Sequence, residues 1–186
     1  MINVVVIGKR RIKYIYMTMQ ASEPEKATSL RLRQPTKEDG ASVWELIKST
    51  GILDLNSPYS YLMLCEYFPD TCVVAEEDHR IIGFVSAFRP PQARDTIFVW
   101  QVAVHESQKG KGLGRRLLEE LLNRESCEDV HYLEATVSPS NLPSQSLFKG
   151  VAKRLNCPCE VSECFPEDLF PESGHEAEQT YRIGPF

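Results

Sequence analysis

The sequence predicts a single α/β (α+β) domain built on a mixed sheet. Three observations carry that prediction. Runs of β-branched and aromatic residues are interleaved with amphipathic helical stretches along most of the chain. A length of 186 residues suits one domain with a real core. An apolar fraction of 42% with 25% charged residues is ordinary for a globular protein.

Residues 30–34 alternate apolar and basic, as a short strand does. Thr36 then caps a helix with Glu38 and Asp39 in its first turn, Val43, Leu46 and Ile47 on its inner face, and Gly51 past its end. Asn56-Ser57-Pro58 opens a second helix, with Pro58 at its first position, and Pro69 ends it. Residues 71–76 and 81–88, joined by a polar turn, read as a hairpin. Thr96 to Val104 is a long strand rich in β-branched and aromatic residues. A glycine-rich loop leads into a helix with Leu113, Leu117, Leu118 and Leu121 on one face. Residues 130–137 form a strand, and Ser138-Pro139-Ser140-Asn141 caps a helix that buries Phe148, Val151, Ala152 and Leu155. Strands near 160–164 and 179–183 close the chain. The expected sheet has about six or seven strands, flanked by about four helices.

Residues 1–29 match no clear element and read as a disordered or extraneous arm, leaving 30–186 as the domain. The apolar run 4–7 precedes its basic cluster, the reverse of an export signal, and no stretch approaches a bilayer span. A cytoplasmic protein with reduced cysteines and no membrane partner is expected. A zinc site from Cys157, Cys159, Cys164 and His175 is disfavoured because the spacing is not one of the usual finger spacings. The net charge of -5 argues against a nucleic-acid binder and mildly favours a small cationic partner. That total hides two opposed regions. Residues 109–116 hold Lys109, Lys111, Arg115 and Arg116, while 155–179 hold Glu160, Glu163, Glu167, Asp168, Glu172, Glu176 and Glu178 and no Lys or Arg.

The stretch Val102-Ala103-Val104-His105-Glu106-Ser107-Gln108-Lys109-Gly110-Lys111-Gly112-Leu113-Gly114-Arg115 runs from strand through alternate glycines into a helix. Glycines let the backbone approach a ligand, and the N–H groups of a helix start face an anion. This is a pyrophosphate cradle. It is neither a Walker loop, since Gly112 follows Gly110-Lys111, nor the dinucleotide fingerprint, whose glycine spacing differs.

These residues resemble the acetyl-coenzyme A motif of the GNAT superfamily of N-acetyltransferases, Gln/Arg-x-x-Gly-x-Gly/Ala, with Lys109 in the first place. The resemblance implies a GNAT-like, mostly antiparallel sheet and acetyl-CoA as cosubstrate, with no metal. It also implies that Lys109, Gly110, Lys111, Gly112, Leu113, Gly114 and Arg115 hold the pyrophosphate. Gln101, Val102, Ala103 and Val104 would lie along the pantetheine arm, with an N–H of Val102 or Ala103 near the thioester oxygen, and Asn141, at the head of the following helix, would also bind the cofactor. Many members place a Tyr seven positions after that Asn as general acid; here it is Phe148. Tyr59 or Tyr61 is the alternative acid.

Gly51-Ile52-Leu53-Asp54-Leu55-Asn56-Ser57-Pro58-Tyr59-Ser60-Tyr61, Val99-Trp100-Gln101 and His175-Glu176-Ala177-Glu178 resemble the diaminobutyrate acetyltransferases of ectoine synthesis. That likeness implies acetylation of the γ-amine of L-2,4-diaminobutyrate by direct attack in a ternary complex. Asp54, Tyr59, His175 and Glu178 become catalytic candidates. Asp54, Tyr59, Tyr61, Trp100 and Glu178 become the acceptor pocket, with Glu176 a further acid and Arg89 a possible partner for the substrate carboxylate. The superfamily resemblance implies a homodimer through the C-terminal strands. Acetylation of another amine, or coenzyme binding without catalysis, stays open at this point.

Overall fold

A computed structural model describes residues 30–171 and 174–186. The expected arm, 1–29, lies outside the described residues. The chain forms β1 (Arg31–Arg33), α1 (Gly40–Thr50), α2 (Pro58–Tyr67), β2 (Cys72–Glu77), β3 (Arg80–Phe88) and β4 (Thr96–Val104). Then follow α3 (Leu113–Leu122), β5 (Tyr132–Val137), α4 (Leu142–Leu155), β6 (Cys159–Phe165) and β7 (Glu178–Ile183). The seven strands make one sheet in the order β1-β2-β3-β4-β5-β7-β6. Every pairing is antiparallel except β4 with β5, which α3 connects.

Two apolar layers sandwich the sheet. On one face, Val43 and Ile47 of α1 and Tyr61, Leu64 and Cys65 of α2 pack on Cys72, Val74, Phe84 and Ala103. On the other, Leu113, Leu117, Leu118 and Leu121 of α3 and Phe148 and Val151 of α4 pack on Val73, Ala75, Val85 and Leu133. Successive residues of β2 thus serve opposite cores, which is why that strand reads as an unbroken apolar run.

The local signals act as their chemistry requires. Gly51 ends α1 in the left-handed conformation (φ +65°), and Pro58 occupies the first position of α2. Asp78 and His79 both have positive φ in the two-residue turn between β2 and β3, as a type I′ hairpin needs. Two details differ from expectation. Thr36 begins a 3-10 turn, Lys37–Asp39, that leads into α1 rather than α1 itself. β5 starts at Tyr132, because Val130 closes a turn onto the Cys127 carbonyl and packs as a buried plug.

Asp39 knots this corner together. Its carboxylate accepts the Thr36 N–H at 2.7 Å and both Arg33 terminal nitrogens at 2.7 and 2.8 Å, and Arg33 Nε also reaches Glu76 at 2.7 Å. Burial opposes the charge on Asp39, but the bonds from Arg33 and Thr36 prevail and hold its pKa below the usual carboxylate value. Asp39→Ala should cost about 2 kcal/mol in a urea unfolding curve at neutral pH. Because the native pKa is lowered, the wild-type advantage should fade as pH falls below the ordinary carboxylate value.

Candidate active site

The site begins with a fault in the sheet. Gln101 pairs with Ser86 and Val99 with Ala87, so Trp100 is an extra residue in β4, a β-bulge. The parallel pairing of β4 with β5 runs only from Thr96↔Tyr132 to Val99↔Ala135. Past the bulge the two strands part, and Thr136 and Val137 pair with β7 alone. The result is a cleft with a free strand edge.

Backbone alternation decides which groups line that edge. The His105 N–H donates to the Ile82 carbonyl at 2.8 Å, so residues 101, 103 and 105 turn their polar groups toward β3. Val102 and Val104 turn theirs toward the cleft. Of the two oxyanion donors considered from sequence, Val102 has the correct direction, and the Ala103 N–H belongs to the sheet. Gln101 likewise contributes a side chain to the cleft, not a free backbone pair.

At the end of the free edge lies the glycine loop. A 3-10 turn, Glu106–Gln108, is followed by Gly110 and Gly112, with φ of +75° and +78°, and Gly112 caps α3. The first helical bond runs from the Arg116 N–H to the Gly112 carbonyl. The N–H groups of Leu113, Gly114 and Arg115 therefore have no intrahelical partner and open outward. Gly114 packs α3 against α4; a Cβ there would meet Leu147 at 3.5 Å. Asn141 caps α4 by accepting the Ser144 N–H at 3.1 Å and lines the neighbouring cavity. These residues suit a long anionic cosubstrate, with phosphates at the helix start and a thioester arm along the strand.

Beside the cleft is a cavity of about 480 Å³. Its described lining includes Asp54 and Asn56 from the α1–α2 loop, Trp100 and Gln101 from the bulge, Thr136 and Ser138 at the end of β5, and His175, Glu176 and Glu178 before and at the start of β7. It holds three carboxylates and, among the described residues, no Lys or Arg. Burial pushes the Glu178 carboxyl up, and nearby Asp54 and Glu176 add to the rise; His175 and Thr136 oppose it. Glu176 is pulled down first by the Ser140 hydroxyl and then by the Ser140 N–H, which donates to it at 3.0 Å. His175 stacks on Phe170, with ring centroids 3.6 Å apart, and bonds the Glu176 carbonyl through Nδ1 at 2.7 Å. A larger groove of about 940 Å³ lies between α1 and the β2–β3 turn, but neither the parted strands nor the loop glycines border it.

The structure thus brings Asp54, Trp100, His175, Glu176 and Glu178 together. It does not bring in the tyrosines. Tyr61 is fully buried behind the cavity, donating to Gln101 Oε1 at 3.2 Å, and Tyr59 is 68% exposed outside the lining. Arg89 is also elsewhere: it forks onto Asp129 at 2.7 and 2.8 Å. Cys157, Cys159 and Cys164 do not gather with His175, and no metal-binding cluster is found among the described residues. Thr136, Ser138, Asn56 and the Gln101 side chain were not expected in the pocket. Gln101 had a visible signal, as a polar residue in the apolar run Val99-Trp100-Gln101-Val102-Ala103-Val104.

Residues 41–151 match the Acetyltransferase (GNAT) family. The chain belongs to the GNAT acetyltransferase family. It is 56% identical over 175 residues to the L-2,4-diaminobutyric acid acetyltransferase of Halalkalibacterium halodurans, covering 92% of each protein. It is 58% identical to the protein of that name from Marinococcus halophilus, covering 85% of this chain and 91% of that one. Among solved structures, it superposes with a TM-score of 0.82 on the diaminobutyrate acetyltransferase of Paenibacillus lautus in complex with L-2,4-diaminobutyric acid and coenzyme A. That pair is 46% identical, covering 85% of this chain and 96% of the other. As a GNAT enzyme the chain is an acetyl-CoA-dependent N-acetyltransferase.

Proposed function

We propose that this enzyme transfers acetyl from acetyl-CoA to the γ-amine of L-2,4-diaminobutyrate, giving N-γ-acetyldiaminobutyrate for ectoine synthesis. The observation that carries the reading is an acidic cavity, free of described cations, opening where β4 leaves β5. A diamine brings two positive charges to Asp54, Glu176 and Glu178. Trp100 offers its indole as a wall and a face for a cation. The substrate carboxylate meets amides and hydroxyls, those of Asn56, Ser138 and Asn141, in place of an arginine.

Acetyl-CoA lies with its pyrophosphate on the N–H groups of residues 113–115 and its arm along Val102 and Val104. An alkylammonium has a pKa of roughly 10, so the γ-amine must first lose a proton. Glu178 takes it, directly or through water, with His175 alongside. The amine nitrogen attacks the thioester carbonyl, and the Val102 N–H receives the developing oxyanion. The nitrogen then gives its second proton to water, the C–S bond breaks, and coenzyme A leaves as a thiolate. Phe148, 4% exposed, has no proton to give, and neither Tyr59 nor Tyr61 reaches the cleft, so water supplies it. Most of the rate comes from holding two reactants together.

We infer that residues 30–186 form the catalytic domain and that it acts in the cytoplasm as a homodimer through the C-terminal strands. β6 supports that pairing, as an edge strand that exposes Val161 and Phe165; sedimentation at micromolar concentration would check it. For function, the purified chain should release coenzyme A with diaminobutyrate and yield product acetylated at the γ-nitrogen by NMR. Asp54→Ala should lower kcat/KM for diaminobutyrate by about 100-fold while KM for acetyl-CoA stays within about twofold. Equal losses in both would remove Asp54 from the acceptor pocket.

A further inference from the structure

Gln101 occupies an unusual place. It follows the bulge residue Trp100 and precedes Val102, whose N–H faces the cleft. It is 7% exposed, and its amide is committed in two directions. Nε2 donates to the Asp54 carbonyl at 2.8 Å, and Oε1 accepts the Tyr61 hydroxyl at 3.2 Å. The same hydroxyl accepts the Asn56 N–H at 3.4 Å, and Trp44 Nε1 donates to the Asn56 carbonyl at 3.2 Å.

The partners lie next to an apolar core. Tyr61 is fully buried and meets Phe84 edge-on, with centroids 6.5 Å apart. Ser86, opposite Gln101 on β3, is fully buried with a hydroxyl that makes no hydrogen bond. A buried amide and phenol require partners to offset desolvation, and an apolar pair of similar size would pack here without them. What the polar pair adds is a tether: β4 is tied to both sides of Leu55 in the loop that carries Asp54.

We propose that Gln101, oriented by Tyr61, is a positioning residue that fixes the 54–56 loop relative to the thioester end of β4. The inference rests on the acetyl-transfer reading above and deepens it. The residue that ties down Asp54 is the backbone neighbour of Val102, so one side chain sets the spacing between the acceptor's carboxylate anchor and the oxyanion donor. Small errors in that spacing reduce turnover more than they reduce coenzyme binding.

The test is a double-mutant cycle of Gln101→Leu and Tyr61→Phe, with steady-state kinetics, coenzyme A titration and hydrogen–deuterium exchange. Gln101→Leu should lower kcat with diaminobutyrate by about tenfold or more, leave coenzyme A affinity within about twofold, and speed exchange in peptides over 52–57. Tyr61→Phe should lower kcat about threefold and add nothing once Gln101 is replaced. Independent, multiplying losses, parallel loss of coenzyme affinity, or unchanged loop exchange would each overturn the proposal. Should Gln101→Leu fail to fold, Tyr61→Phe decides: wild-type kcat and exchange in that variant refute the tether. Turnover of diaminobutyrate by the wild type tests the parent reading separately, and if another amine is the acceptor, the cycle is run on that amine.

Discussion

Glu178→Gln is expected to lower kcat/KM for diaminobutyrate by about two to three orders of magnitude, the largest effect of any acceptor-side change. Glu178 is a half-buried carboxylate at the start of β7, raised in pKa first by burial and then by Asp54 and Glu176. A carboxylate so placed is a better proton acceptor than a solvated one, and an incoming ammonium relieves its surroundings. In the wild type, the acid limb of kcat/KM should fall above the ordinary glutamate pKa, and in the glutamine variant that limb should vanish. Stability should move in the opposite sense. A raised native pKa means that the folded protein binds the proton more tightly than the unfolded chain does. At neutral pH the ionised group therefore opposes folding, and Glu178→Gln should raise the melting temperature at pH 7.5. The difference should shrink as pH falls through the native pKa and disappear below the unfolded value. A variant that loses activity and stability together at pH 7.5 would make Glu178 structural. Activity within about threefold of wild type would remove it from the chemistry.

Gly112→Val is expected to raise KM for acetyl-CoA by about 100-fold, with a smaller effect on diaminobutyrate at saturating coenzyme. Gly112 caps α3 with φ +78°, a conformation that a β-branched residue adopts only under strain. Relief of that strain would turn the first N–H groups of α3 away from the pyrophosphate. Gly114→Ala is the control, because its Cβ would meet Leu147 at 3.5 and 3.7 Å, ordinary contact distances. That variant should bind coenzyme A nearly as the wild type does. Isothermal titration with coenzyme A separates the two, and equal behaviour would mean that backbone conformation at Gly112 is not what holds the anion.

Much of the fold was legible because its signals are local. Pro58, Gly51, the polar hairpin turn and the leucines of α3 each act through the backbone dihedrals or face of their own segment. The glycine loop was legible for the same reason, since strand, glycines and helix start are contiguous. The acceptor side was less so. Trp100, Asp54, His175 and Glu178 come from three separate segments, and only the family resemblance joined them. The tyrosines show the limit of such reading. Tyr59 and Tyr61 sit two residues apart on α2, yet one faces solvent and the other is fully buried, because helical geometry points them in different directions.

Charge shows the same division. The acidic stretch 155–179 suggested a surface matched to a diamine, but among its described carboxylates only Glu176 and Glu178 line the cavity. The sequence by itself determined the order of elements, the glycine loop and the family. The tertiary structure alone decided where β4 parts from β5, that Val102 rather than Ala103 offers its N–H to the cleft, and that Gln101 ties Asp54 to the strand. The physical reason is one of range. Turns and caps are settled within a few residues, whereas a bulge, a strand split and a buried amide depend on partners dozens of residues away.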